Sequence, residues 1–176
     1  MAITESIPEN RNFLSPLGFK FDIKKTPDVN YFVQSVNIPS VTLGETNVPT
    51  PFVKLPFAGD HIQYGALVVT FRVDEEMRNY MELFTWLRET GFPNSFDEYK
   101  SIAAKEENKM SGQGIYSDAS LLILNSARKP IVEVNFRKLY PVTLTDLQFD
   151  ARNVDVDYID TTCSFNFQTF DINWLI

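Results

Sequence analysis

The stretch that decides the fold runs from residue 37 to residue 87 and reads NIPSVTLGETNVPTPFVKLPFAGDHIQYGALVVTFRVDEEMRNYMELFTWL. Its first part, residues 39–60, carries four prolines and two glycines, yet it is rich in apolar side chains. Because proline cannot donate to a central sheet ladder, this ribbon is expected on a sheet edge or in an extended arm. Large contiguous apolar patches are uncommon on soluble monomers, so an arm of this kind needs a second surface to cover it. We interpret the ribbon as a binding element, with folding back onto its own domain as the alternative.

A strand and an amphipathic helix follow the ribbon directly. Alternating side chains over residues 66–73 predict a strand with one buried face. Asp74 then offers a side-chain oxygen as N-cap, and Gly91 and Pro93 end the helix. The apolar stripe of this helix is expected to consist of Met77, Tyr80, Met81, Phe84 and Leu87. The core is expected to contain Leu67, Val69, Phe71, Phe84 and either Trp86 or Leu87.

The rest of the chain adds mainly strands. Residues 18–25 alternate as a strand, and turn chemistry at residues 26–28 is expected to lead into a second strand at Tyr31 and Val33, which forms a hairpin with the first. A second, shorter helix is expected over residues 95–109. Further strands are predicted over residues 119–124, 131–137 and 161–172, with a turn at residues 125–130.

This order of elements predicts one domain over residues 1–176. The fold class is α+β and mostly β: an antiparallel sandwich or barrel with one covering α-helix, a second short helix and a long extended hairpin arm. Within it, residues 1–16 are expected to be an N-terminal tail, residues 39–60 the extended arm and residues 93–114 a helical insertion or loop.

Composition argues against several classes of protein. The net charge of −7 disfavours a protein that grips phosphate backbones through Lys and Arg clusters. The single cysteine, Cys163, cannot form an internal disulfide, which fits assembly in a reducing cytoplasm, and its strand pattern predicts a small buried apolar residue. The N-terminus lacks the pattern of a secretory signal, and no run of about 18 apolar residues predicts a membrane span.

Catalytic and metal-binding constellations are not found in the sequence. His61 is the only histidine, so neither a nucleophile–histidine pair nor a histidine–cysteine metal site is expected. Gly112 and Gly114 are too few for a phosphate-cradling loop. An acidic series that includes Asp150, Asp155, Asp157 and Asp160 lacks the glycine and terminal glutamate of a calcium loop, so we interpret it as a solvated loop. We expect no enzyme activity and no catalytic, metal or cofactor residues.

Four segments of the sequence together resemble a known family. They are FVQSVNIPSVTL at 32–43, KLPFAGD at 54–60, ALVVTFRVDEEMRNYMELFTWL at 66–87 and PVTLTDLQFDARNVDVDYIDTTCSFNFQTFDI at 141–172. In kind and order they resemble the tube proteins of contractile phage tails. The similarity covers most of residues 17–172, and the segment from Pro93 to Gly114 is longer than expected for a minimal tube subunit.

The resemblance implies a structural subunit of a virion tail tube. Subunits of that family form stacked hexameric rings around a channel through which double-stranded DNA passes without specific binding, and sheath, baseplate and neck proteins are the implied partners. The particle would be assembled in the host cytoplasm. A minor tube-like ring at the baseplate (tube initiator) or neck (tube terminator), the related tube of type VI secretion and, from another class, a host-recognition binding module remain as alternatives. From the ribbon itself, we expect the subunit-interface residues to be Leu43, Phe52, Val53, Leu55, Phe57, Asp60 and His61.

Overall fold

The computed structural model describes residues 12–91, 115–150, 152 and 158–175. The elements in chain order are β1 (Phe19–Ile23), α1 (Pro27–Phe32), β2 (Val33–Val36), β3 (Val41–Pro49), β4 (Lys54–Tyr64), β5 (Leu67–Arg72), α2 (Arg78–Thr90), β6 (Ser117–Leu124), β7 (Pro130–Leu144), β8 (Asp160–Asn166) and β9 (Thr169–Trp174). The predicted helix over residues 95–109 lies outside the described residues.

Seven strands form one antiparallel system in the order β1-β6-β7-β8-β5-β2, with β9 also paired to β7. Strand β7 links two layers: its first half pairs with β6 and β9, and its second half pairs with β8. Lys138 lies between the two halves with a φ of 52°, and its N–H donates to the Asp118 carboxylate. The end strands β1 and β2 do not pair with each other, so the described strands form an open, sandwich-like structure. The predicted α+β, mostly β class is confirmed.

The core lies between the two sheet layers and under α2. Strand β5 contributes Leu67, Val69 and Phe71, all fully buried, as its alternation predicts. The Trp86 ring lies 6.0 Å from the Phe165 ring, and its Nε1–H donates to the Ile115 carbonyl at 2.7 Å. The other core side chains are Phe21, Ile23, Val29, Leu83, Ala119, Leu121, Val134, Phe136, Leu139 and Cys163.

The predicted hairpin after residue 25 is wrong. Residues 27–32 form helix α1 instead, and β1 and β2 pair with β6 and β5 respectively. Pro27 at the first helical turn has its φ pre-set for a helix. The Asn30 side chain accepts from the Ile23 N–H at 2.8 Å and donates to the Ile23 carbonyl at 3.0 Å, which fixes α1 against the end of β1.

Helix α2 buries a different face from the predicted stripe. Its buried residues are Asn79, Leu83 and Trp86, whereas Met81 and Phe84 are exposed. Phe84 was therefore wrongly assigned to the core. The reason is Asn79, which is fully buried and donates from Nδ2 to the Arg72 carbonyl at 2.8 Å. A hydrophobicity pattern places asparagine toward solvent, whereas this hydrogen bond turns the helix so that asparagine faces inward.

The start of α2 and the last strand also differ from expectation. Asp74 accepts the backbone N–H of Arg78 at 2.8 Å, but α2 begins only at Arg78, after Met77 with a φ of 57°. The single strand predicted over residues 161–172 is two strands, β8 and β9, which pair with opposite halves of β7. Because β7 passes from one layer to the other, the returning chain is interrupted where it changes layer.

Candidate functional site

The candidate site is a two-stranded arm formed by β3 and β4, which pair with each other and make up a separate sheet. Strand β4 continues to Tyr64, past the end expected at residue 60. At the far end the chain turns through residues 50–53, where the backbone N–H of Thr50 donates to the Val53 carbonyl at 3.1 Å. The Val53 N–H donates in turn to the Thr50 hydroxyl at 3.1 Å. The proline-rich ribbon is thus an ordered hairpin.

The root of the arm is fixed to the sandwich by polar and aromatic contacts. The Asn37 side chain accepts from the Val68 N–H at 2.6 Å and donates to the Ala66 carbonyl at 3.1 Å. The Gly65 N–H donates to the Ser40 carbonyl at 2.8 Å. The Tyr64 ring packs on the rings of Phe167 and Phe170, with centroids 5.8 and 5.2 Å away. These contacts fix the direction in which the arm leaves the sandwich.

A bulge divides the arm into two halves. Leu43 is paired with Ile62 and Glu45 with Ala58, so Gly44 alone stands opposite residues 59–61. A Cβ on Gly59 would lie 2.5 Å from the Gly44 carbonyl oxygen, which means that the two backbones touch there. Bulges of this kind interrupt pairing, and because the shift here is an even two residues, the alternation of faces resumes in the same phase beyond it. We call residues 41–43 and 62–64 the base half, and residues 45–58 the tip half.

The two halves present apolar side chains on opposite faces. Directly paired residues share a face of an antiparallel ribbon, and alternate residues along β3 point to opposite faces. In the base half the apolar set contains odd-numbered β3 residues and their partners: Val41, Leu43, Ile62 and Tyr64. In the tip half it lies on the face of the even-numbered β3 residues: Val48, Leu55 and Phe57. We call these sets the base face and the tip face.

The predicted interface residues are distributed over four places in the arm. Leu43 lies on the base face and is 52% exposed, whereas Leu55 and Phe57 lie on the tip face. Phe52, 96% exposed, and Val53 lie in the turn. Asp60 and His61 lie at the bulge, where the Asp60 carboxylate contacts His61 Nδ1 at 2.5 Å and both side chains are exposed. The structure thus brings Leu55 and Phe57 together and places Leu43 on the other side.

Four arm residues were not included in the predicted interface set. They are Val41, Val48, Ile62 and Tyr64, all exposed. For Ile62 and Tyr64 the signal was present in the sequence, because the alternation in residues 61–64 continues the strand beyond Asp60. The pairing of Val48 with Leu55 depends on the register after the bulge, which the sequence pattern does not reveal.

A second feature is a cleft of about 450 Å³ between α1 and α2. Glu82 lines it, and burial, followed by the nearby Asp28 carboxylate, raises the pKa of Glu82 above its ordinary value; the backbone N–H groups of Asp28 and Val29 oppose the shift. Glu82 Oε2 and the hydroxyl of the buried Thr26 have no hydrogen-bond partner among the described residues. The charged side chains that line the cleft include both acids and bases.

Sites for other chemistry are not found in the described ranges. No group of three or more His, Cys, Asp or Glu side chains is arranged to hold a metal ion in this part of the chain. Asp155 and Asp157, like Gly112 and Gly114, lie outside the described residues. Cys163 is fully buried in β8, as predicted, and burial raises the pKa of its thiol to about 12. Neither described helix has the length and apolar character required to cross a membrane.

Comparison with known proteins relates this fold to one kind of assembly. No protein-family model matches the chain, and no curated protein matches it by sequence. Solved structures do match. One is from the baseplate of the anti-feeding prophage, with a TM-score of 0.59 and 14% identity over 88% of this chain and 90% of that chain. Another is from the tube-terminating cap of the same prophage, with a TM-score of 0.59 and 15% identity over 99% of both chains.

A third match is to the sheath/tube terminator of the PVC extracellular contractile injection system in its extended state. Its TM-score is 0.55, with 14% identity over 93% of this chain and 99% of that chain. The chain has the fold of these proteins. The resemblance predicted from the sequence is confirmed at the level of fold, because the matching structures come from contractile particles with tubes and baseplates.

Proposed function

We propose that this chain is a structural subunit of a tube-like channel in a contractile phage tail or a related injection particle. In this proposal six copies form a ring, rings stack along an axis, and sheath, baseplate and neck proteins bind the stack. The observation that carries the proposal is the arm: an ordered hairpin whose large apolar side chains are exposed. An arm of this kind needs a covering surface, and neighbouring copies in a ring supply one.

The edges of the sandwich support the same proposal. Among the described strands, β1 and β2 each pair with one other strand, so each has a second edge that no described strand covers. Open edges are an aggregation hazard in a monomer and a joining surface in an assembly, through β-augmentation. A ring in which the edge of one copy meets the edge of the next removes these free edges.

The charge of the chain fits a channel for DNA. A net charge of −7 repels phosphate groups, so DNA that passes through such a ring is not retained by multiple contacts. This transit requires no catalytic group and no specific base contact. The proposed role is therefore structural, with assembly in the host cytoplasm and residence in the finished particle.

A second candidate is a minor ring at one end of the tube, at the baseplate or at the terminator. It is supported by the likeness in fold to an anti-feeding prophage baseplate chain and to two terminating proteins. Such a ring has two different partners on its two faces, whereas a main tube ring meets copies of itself. Self-stacking of the purified protein distinguishes them, because a terminal ring is expected to remain single.

The experiment that tests the proposal is the mass of the protein in solution, measured by light scattering after gel filtration. The wild-type chain is expected to elute as a ring or larger assembly, and Phe52→Asp combined with Leu55→Asp is expected to elute as a smaller folded species. The matched control is Thr42→Asp with Asn47→Asp, which adds the same charge at exposed polar positions of the arm. A folded Phe52→Asp/Leu55→Asp protein that still forms rings would remove the arm from the interface.

A further inference from the structure

Both halves of the arm are amphipathic, but their apolar faces lie on opposite sides of the ribbon. Behind the base face lie Thr42 and Gln63, which form a directly paired polar row. Behind the tip face lie three polar side chains, Glu45, Asn47 and Lys54, together with Pro49, Pro56 and Ala58. A surface that lies along one face of the ribbon therefore meets large apolar side chains in one half only, and polar or smaller ones in the other.

We propose that the arm engages two different copies of this chain, one through the base face and another through the tip face. This inference rests on the proposed function, because the ring of identical copies is the source of both partners. It goes beyond that function because it assigns the two sides of one hairpin to separate neighbours. Leu43 and Ile62 then contact the first copy, and Leu55 and Phe57 contact the second.

The arm's own domain does not cover these faces. On the base face, Tyr64 packs on Phe167 and Phe170, whereas Leu43 and Ile62 remain more than half exposed. The tip half extends from there, and its strands pair with each other. The backbones of Gly44 and Gly59 touch at the bulge, and the pairing shifts there by two residues, which leaves the alternation of faces in phase. The change of face therefore comes from the order of the apolar residues along the two strands.

The size of each face indicates that both contacts must form together. The tip half has five residue pairs and is about 16 Å long and about 10 Å wide, which gives a face on the order of 200 Å², and the base half, with three pairs, has a smaller face. A standard interface buries about 800 Å² on each partner, so one half of the arm falls well short of holding two copies as a stable dimer. We therefore expect the two contacts to form cooperatively when the ring closes, with few free dimers.

Charge substitutions test each face separately. Leu43→Asp with Ile62→Asp changes the base face, and Leu55→Asp with Phe57→Asp changes the tip face. Both variants are expected to lose the ring, because each removes one of two required contacts. Thermal unfolding is expected to show that the sandwich of each variant is still folded. The control is Thr42→Asp with Asn47→Asp, which keeps both apolar faces. If either apolar variant assembled like wild type, that face would have no partner and the inference would be overturned.

Cross-linking then counts the partners of one arm. A maleimide that carries a photoreactive group is attached at Leu43→Cys, at Phe57→Cys or at both. The buried Cys163 thiol is not expected to react with the maleimide. The labelled chain is mixed, before assembly, with a large excess of unmodified chain, so that each ring holds at most one labelled arm. Gel filtration confirms that the labelled chain enters the rings, and a denaturing gel reports the covalent products.

Each single label is expected to give a covalent dimer, and the double label a covalent trimer. Labels at Thr42→Cys and Asn47→Cys, on the opposite sides of the same halves, are expected to cross-link much less. Rings in which the double label yields dimers without trimers would overturn the two-partner inference and leave the proposed function standing. Unmodified protein that forms no ring would overturn both.

Discussion

Gly59 and Gly44 meet backbone to backbone at the bulge of the arm, where a Cβ on Gly59 would lie 2.5 Å from the Gly44 carbonyl oxygen and 2.8 Å from its carbonyl carbon. No flexible side-chain end is involved, so a larger residue at 59 must displace the main chain. The equivalent atom on Gly44 would meet the His61 carbonyl oxygen at 3.5 Å, an ordinary contact. The two glycines therefore differ in what they tolerate, although both stand at the same bulge.

The first prediction follows from this difference. Gly59→Ala is expected to bend the arm and reduce ring assembly measured by gel filtration, with little change in the unfolding midpoint, because the arm lies outside the core. Gly44→Ala is the matched control and is expected to assemble like wild type. Equal assembly of the two variants would show that the close approach at the bulge does not set the shape of the arm.

The second prediction concerns the face of α2 that packs on the sandwich. Leu83→Ala removes a fully buried side chain and is expected to reduce the free energy of unfolding by about 2–5 kcal/mol. Phe84→Ala removes a larger side chain that is 44% exposed, and is expected to cost less than about 1 kcal/mol. Urea unfolding of both variants measures the two costs. A greater loss in Phe84→Ala would mean that α2 packs through the stripe expected from the sequence.

Leu83 and Phe84 lie on the same helix, whose existence the sequence predicts but whose buried face it does not. The existence of α2, the alternation of β5 and the apolar ribbon are local patterns, and they were predicted correctly. The rotation of α2 depends on the hydrogen bond from Asn79 to the Arg72 carbonyl, which joins two elements. The helical state of α1 similarly depends on Asn30 and its bonds to Ile23. Such contacts join residues of different elements and leave no periodic pattern in the sequence.

The candidate site was predictable to a similar extent. Proline and apolar content identify the arm, but they do not show which of its side chains share a face. That depends on the register, which pairs Leu43 with Ile62 in the base half and Val48 with Leu55 in the tip half. The division of one strand at residues 161–172 into β8 and β9 also depends on register, since both pair with β7 in different layers.

The third prediction concerns the buried thiol. Burial disfavours the thiolate, which raises the pKa of Cys163 to about 12, and the thiolate is the reactive form. At neutral pH the folded protein is expected to react very slowly with a thiol reagent such as DTNB, whereas the chain in guanidinium chloride reacts fully. A rapid reaction of folded protein would indicate that β8 opens readily or that its thiol is accessible.

The fourth prediction concerns the pH dependence of stability at Glu82. Burial, with the neighbouring Asp28 carboxylate, raises the pKa of Glu82 in the folded chain. The folded chain therefore binds the Glu82 proton more tightly than the unfolded chain does. The stability that this proton contributes is fully present below the pKa of Glu82 in the unfolded chain, and it is lost as the pH rises through the pKa of Glu82 in the folded chain. Relative to wild type, Glu82→Gln is expected to gain stability from about pH 4 to about pH 7.

Unfolding by urea at several pH values measures this relative stability. The matched control is Glu75→Gln at an exposed position, for which the difference from wild type is expected to be nearly constant across the same range. A difference between Glu82→Gln and wild type that moves in the opposite direction would mean that the folded state favours the charged form of Glu82.

The central claim is that this chain closes into a ring through its arm, and electron microscopy of the purified full-length protein tests it most directly. The expected images are rings with six-fold symmetry and a central channel, stacked into tubes for a main tube subunit and single for a terminal ring. Isolated particles of single-chain size at high concentration, with no rings, would contradict the claim.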